Sequence, residues 1–146
     1  MAEKIKDIMT TNVVTCKTDD TIFDLATKMV EHDIGFLPIK EGENLVGVVT
    51  DRDLVIRGYA NKLDSSAAAA EVMTDGCISI SPDATVDEAS ELMAMHQIRR
   101  LCVVEKGKLV GVCAIGDLAV RDKYMEDAGH ALSEISEKDQ STTYLN

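Results

Sequence analysis

Tryptophan is absent from this 146-residue chain, and the other aromatics amount to two Phe and three Tyr. A core must therefore come from Val, Ile, Leu, Met and Ala, within a hydrophobic share of 45%. With two Pro and nine Gly, collagen-like and low-complexity disordered classes are excluded. Cys16, Cys77, Cys102 and Cys113 show no C-x-x-C spacing. Three of them lie in apolar runs, where a free thiol behaves as a small hydrophobe, and no metal site is expected. No apolar run approaches the roughly 20 residues of a membrane span. No basic-then-apolar leader opens the sequence, and reduced thiols without an export signal set the expectation of a cytoplasmic protein. Positive charge is also short. The net charge is −11, and residues 1–64 carry 8 basic against 12 acidic groups, residues 65–146 7 against 14. A nucleic-acid binder needs a basic footprint and an anionic membrane repels acidic surfaces, so neither partner is expected.

What the chain does have is itself, twice. Shifted by 64 positions, Ile8–Arg57 aligns without a gap onto Val72–Arg121. Identical pairs include Met9/Met73, Thr10/Thr74, Asp19/Asp83, Thr21/Thr85, Met29/Met93, His32/His96, Ile34/Ile98 and Leu37/Leu101. The match tightens where Leu45-Val46-Gly47-Val48 meets Leu109-Val110-Gly111-Val112, and again at Asp53-Leu54 against Asp117-Leu118. Such self-similarity marks a duplicated supersecondary unit.

Each copy reads as β-α-β-β-α. Val13–Thr15 is a short apolar strand candidate. Thr21 opens a helix with Asp24 as its capping-box partner, and Ile22, Leu25, Ala26, Met29 and Val30 supply an apolar face at helical spacing. Copy two repeats the logic with Thr85 and Glu88, then Val86, Ala89 and Met93. Phe36–Lys40 and Leu45–Thr50 form a hairpin around 41–44, as do Leu101–Val104 and Leu109–Ala114 around 105–108. A second helix is expected from Asp51 to about Gly58 and from Gly116 to about Lys123. The expected fold class is α/β (α+β), with unit one over 1–62, a Ser/Ala-rich linker over 63–70 and unit two over 71–123. Residues 124–146 have no counterpart. Met125, Ala128, Leu132 and Ile135 recur there at helical spacing, predicting an appended C-terminal helix that packs on its own module or across a dimer, with polar residues beyond Glu137.

Gly47-Val48-Val49-Thr50-Asp51-Arg52-Asp53 is the most informative string. It sets a hydroxyl and a carboxylate at i and i+3 where a strand turns into a helix. A helix N-terminus accepts phosphate, and an aspartate can take both hydroxyls of a ribose. Thr-x-x-Asp is equally an ordinary capping box that needs no ligand. On this copy alone both readings stand.

Paired β-α-β-β-α units, each closing on Gly-hydrophobic-x-Thr/Ser-x-x-Asp, resemble the cystathionine β-synthase (CBS) domain, and the tandem resembles a Bateman module. The resemblance covers residues 3–121. It is carried by Ile8-Met9-Thr10 and Val72-Met73-Thr74, by Asp19-Asp20-Thr21-Ile22 and Asp83-Ala84-Thr85-Val86, and by Phe36-Leu37-Pro38-Ile39. His96-Gln97-Ile98-Arg99-Arg100-Leu101 and the two Gly…Asp ends complete it. It implies two units related by pseudo-two-fold symmetry, a flat homodimer, and a regulatory module that binds adenosyl compounds (AMP, ADP or ATP, in some members S-adenosylmethionine or NAD) in clefts between the repeats. It assigns ribose or phosphate contact to the Thr50 hydroxyl and the ribose hydroxyls to Asp53, with Asp117 keeping that role in copy two. No required cofactor is implied, and the protein partner is unidentified.

Copy two departs from the pattern at Ala114, where Thr or Ser is expected, and at Cys102, where copy one keeps Pro38. A missing hydroxyl removes about 0.5–1.5 kcal/mol of net hydrogen bonding, roughly tenfold in affinity at most. One competent site at Thr50/Asp53 and a weaker or empty second one are therefore expected. Arg99 and Arg100 stand where family members often place phosphate contacts, and a guanidinium fork suits phosphate. The alternative is a salt bridge to a nearby carboxylate. His32 and His96 close the first helix of each copy, where the negative helix end accounts for them better than a metal or acid–base pair. No nucleophile-and-base pairing, H-E-x-x-H, P-loop or Gly-rich dinucleotide fingerprint occurs, so no catalytic residue is expected and the chain is read as a binding module, not an enzyme. The competing reading is a homodimeric interaction scaffold that binds no ligand.

Overall fold

The computed structural model describes residues 3–119 and Ile135. The expected C-terminal helix over 124–146 and the end of the second unit lie outside the described residues, apart from Ile135, which is buried. Two compact units are present. One takes residues 13–77 with 107–109, and the other takes the described residues up to 12, 78–106, and those from 110 on.

In the first-copy unit, β1 (Cys16–Lys17) runs parallel to β2 (Phe36–Glu41), and β2 pairs antiparallel with β3 (Asn44–Thr50). Between β1 and β2 lies α1 (Ile22–His32). Its start is the expected box: the Thr21 hydroxyl accepts from the Asp24 amide at 3.1 Å, and the Thr21 amide donates to Asp24 Oδ2 at 3.0 Å. The Thr21 amide, and after it the Thr21 hydroxyl, holds the Asp24 carboxyl below its ordinary range. The helix stops at Asp33, which adopts a left-handed conformation (φ 52) and lets the Ile34 amide return to the Met29 carbonyl at 3.0 Å. The β2–β3 turn needs Gly42 at φ 64. After β3 comes α2 (Asp51–Asp53), whose turns widen over Leu54–Tyr59 so that the Ala60 amide reaches back five residues to Val55.

The second-copy unit repeats the plan with β5 (Ser79–Ile80) parallel to β6 (Arg100–Glu105), β6 beside β7 (Lys108–Ala114), α3 (Val86–His96) and α4 (Ile115–Ala119). Thr85 accepts from the Glu88 amide at 3.2 Å. Gln97, at φ 54, ends α3 as Asp33 ends α1.

Three expectations shift. The first strand forms at Cys16–Lys17 and not at Val13–Thr15, because the chain comes alongside β2 only where Cys16 stands opposite Ile39. Val30, expected on the buried face of α1, is 81% exposed, while Leu25 and Met29 carry that face. The Ser/Ala-rich stretch is more than a linker. Its backbone is tied to the start of α1 (Ile22 amide to Ala67 carbonyl, 2.8 Å), and Ala69 is buried in the core.

The compact units also cut across the sequence copies. The Ile5 and Lys6 amides bond the Ala84 and Pro82 carbonyls at 2.9 and 3.0 Å, Thr10 pairs with Val112, and Ile5 is buried with Val86, Met93, Leu101 and Leu118. Sixty-four positions on, the Ala69 and Ala70 amides bond the Asp20 and Thr18 carbonyls at 2.7 and 3.2 Å. β4 (Thr74–Asp75) pairs with β3 at Val48, and Ala69 and Val72 join Leu25, Met29, Leu37, Ile39 and Val49. The opening segment of each copy thus completes the core of the other unit. Both cores are aliphatic, as the shortage of aromatics requires.

Candidate functional site

In the first copy the strand-to-helix turn is held from three sides. β3 delivers Thr50 opposite Phe36, and the Asp51 amide donates to the Gly35 carbonyl at 3.0 Å. The Thr50 hydroxyl accepts from the Asp53 amide at 3.2 Å, and the Thr50 amide donates to Asp53 Oδ2 at 2.9 Å. The Asp53 side chain is 17% exposed, and its Oδ1 faces the Arg57 Nε at 3.9 Å. Arg57 in turn donates from Nη1 to the Met73 carbonyl at 2.9 Å. Thr50 and Asp53, expected to act together, are therefore brought together by a capping box, and one carboxylate oxygen is left to a cation and to anything entering beside it.

The equivalent turn in the second copy is poorer. The Ala114 amide donates to Asp117 Oδ2 at 2.8 Å, but Ala114 has no hydroxyl to return the bond. The Ile115 amide donates to the Arg99 carbonyl at 2.8 Å, so Arg99 is anchored at the start of α4 as Gly35 is at the start of α2. Arg99, Arg100 and Asp117 thus share one unit, and Thr50 and Asp53 the other. Both arginines are exposed at this end of β6. Burial, reinforced by Asp117, pushes the Cys113 thiol up to about 12. Buried Cys16 also titrates above its ordinary value, burial again being the main cause. None of the four cysteines is in a disulfide. His32 and His96 are the last residues of α1 and α3. Among the described residues no three His, Cys, Asp or Glu side chains gather as a metal site, and no helix is long and apolar enough to cross a membrane.

Two kinds of residue escaped the sequence reading. A Cβ on Gly47 would stand 2.7 Å from the Thr74 carbonyl oxygen and 3.0 Å from Met73 Sδ, and one on Gly111 would stand 2.9 Å from the Thr10 oxygen and 2.7 Å from Met9 Sδ. The motif glycines admit the opening segment against β3 and β7. Their signal was the identical Leu-Val-Gly-Val string. Arg57 also went unnoticed, although it closes the repeat match opposite Arg121.

A family model described as the CBS domain matches residues 5–58 and again residues 69–122. The chain belongs to the CBS-domain family. Its CBS pair is 45% identical over 138 residues to protein YlbB of Bacillus subtilis, covering 93% of each chain. It is 43% identical over 132 residues to the CBS domain-containing protein YhcV of the same organism, covering 90% of this chain and 94% of that one. Among solved structures, hypoxic response protein I with two coordinated zinc ions is similar at 36% identity and a TM-score of 0.75, covering 82% of this chain and 98% of that one. The CBS domain pair of protein MJ0100, in complex with 5′-methylthioadenosine and S-adenosylmethionine, is similar at 26% identity and a TM-score of 0.73, covering 82% and 95%. The mixed fold of two tandem CBS units is thus shared with stand-alone relatives.

Proposed function

We propose that the chain is a regulatory CBS pair that senses an adenosyl ligand, AMP, ADP or ATP, with S-adenosylmethionine and NAD as alternatives. Thr50 and Asp53 hold the ribose and first phosphate in the first-copy unit. Asp117 with Arg99 and Arg100 forms a weaker, phosphate-directed site in the second. The observation that carries this reading is the geometry at Asp53: a largely buried carboxylate that spends one oxygen on its helix cap and keeps the other beside a guanidinium. A ribose diol suits such an acceptor. The adenosyl compounds bound by the CBS pair of MJ0100 lend support by likeness. Binding changes the packing of units or subunits, and a protein partner reads the change; no step of the proposal is catalytic.

A thermal-shift panel with AMP, ADP, ATP, S-adenosylmethionine, NAD and GTP tests it. Ligand at 100 times its Kd adds about 2.7 kcal/mol, so a selective adenosyl shift that disappears in Asp53→Asn is expected. A flat panel at millimolar ligand sinks the proposal.

A second reading has its own observations. The Thr50 box is complete without any ligand, and Phe23, Val30, Val55, Ile56 and Tyr59 of the first-copy unit are all exposed. Solvent-facing apolar side chains on two neighbouring helical segments suit a protein surface. On this reading the pair is a homodimeric scaffold and Asp53 serves only as a cap.

A further inference from the structure

Among the described residues Arg57 is the cation shown beside Asp53, and it is held there from a second direction. From Asp53 to Arg57 is one helical turn, in the stretch where the helix widens. Nε faces Asp53 Oδ1 at 3.9 Å, Nη1 donates to the Met73 carbonyl at 2.9 Å, and the Arg57 carbonyl accepts from Asn61 Nδ2 at 3.0 Å. The Met73 carbonyl is fixed in its turn, because Met73 leads into β4, which pairs with β3 next to Gly47. A guanidinium offers several donors in a rigid plane. Here one edge is anchored on backbone and the other is presented to a carboxylate.

We propose that Arg57 is a positioning residue for the first-copy site: it fixes the orientation of the Asp53 carboxylate, so that Oδ1 is already aimed when a ribose arrives. The proposal rests on the adenosyl reading of Thr50 and Asp53. Its logic is that of preorganisation, in which a group locked in its binding geometry loses less freedom on binding. Arg57 touches no ligand in this scheme and acts wholly through Asp53. The Met73 anchor explains why the positioning group is Arg and not Lys, since an ammonium has no fork with which to span carbonyl and carboxylate together.

The test is a double-mutant cycle with two readouts: AMP affinity by calorimetry, and the urea midpoint without ligand, for the wild type, Arg57→Ala, Asp53→Asn and the double variant. Arg57→Ala is expected to weaken AMP roughly tenfold, with no further loss in the Asp53→Asn background, and Arg57→Lys is expected to restore part of the affinity. The ligand-free midpoints are expected to be non-additive. Unchanged AMP affinity in Arg57→Ala overturns the proposal, and so does an equal loss in the Asp53→Asn background, which would make Arg57 a direct ligand contact. If the wild type binds neither AMP nor the other adenosyl probes, the function reading falls on its own. The midpoint cycle then decides whether Arg57 orients Asp53: additive midpoints refute it and non-additive ones support it.

Discussion

The amide of Thr50 donates to Oδ2 of Asp53 while the hydroxyl of Thr50 accepts from the amide of Asp53, at 2.9 and 3.2 Å. The same two residues thus end a strand, start a helix and hold a carboxylate in place. Structural and ligand roles separate by substitution. Asp53→Asn keeps a carbonyl acceptor for the Thr50 amide and gives up a part-exposed ion pair, so ligand-free stability is expected to fall by less than about 1 kcal/mol while adenosyl affinity drops. Thr50→Ala removes the cap acceptor and is expected to cost about 1 kcal/mol without any ligand. Urea titrations paired with calorimetry check both.

Gly47→Ala and Gly111→Ala are expected to destabilise by about 1–3 kcal/mol, because the new methyl meets a backbone carbonyl at 2.7 and 2.9 Å and backbone cannot swing aside. Gly116→Ala is the control. Its Cβ meets nothing within 4 Å, and a helix gains about 0.4–1 kcal/mol from the change. Equal midpoints for the three variants would contradict the close approach.

The Cys113 thiol, ordinarily near 9.0, is pushed up to about 12 by burial and by Asp117. The folded chain therefore holds a proton that the unfolded chain has lost between these values. The associated stability is fully present below pH 9 and falls as pH rises toward 12, by no more than about 1.4 kcal/mol per pH unit. Urea midpoints from pH 8 to 10.5 are expected to fall less steeply in Cys113→Val than in the wild type. Cys77, the least buried of the four, is expected to react first with a thiol reagent, with Cys16, Cys102 and Cys113 following only on unfolding.

The exposed Phe23 and Val30 on α1 allow the scaffold reading to be weighed separately. Phe23→Glu with Val30→Glu is expected to leave the urea midpoint of the single chain in place, since neither side chain lies in the core. If these helices pair with a second copy, the double variant sediments as one chain where the wild type sediments as a larger species. Identical sedimentation of the two would remove this face from the interface.

Much of this was legible in the sequence because it depended on local rules. Thr21 and Asp24 announce a box, Leu25 and Met29 recur at helical spacing, and the hairpins are bracketed by turn residues. The 64-residue shift located both strand-to-helix turns, and with them Thr50, Asp53 and Asp117. What stayed hidden depended on partners distant in the chain. Nothing near Val30 says that its side of α1 meets solvent, and nothing near Ile5 says that it fills a core beside Val86 and Leu101. Gly47 and Gly111 read as strand glycines until Met73 and Met9 are seen against them. Arg57 reads as a surface charge until its reach to the Met73 carbonyl is known.

The placement of Ile5 and Ala69 bears on whether either copy can stand alone. A fragment holding one copy lacks the residue that plugs its core, because that residue belongs to the opening segment of the other copy. The same reciprocity makes the junction near residue 63 a poor place to cut: each fragment would carry the other's missing piece, and the two are expected to be stable only when mixed.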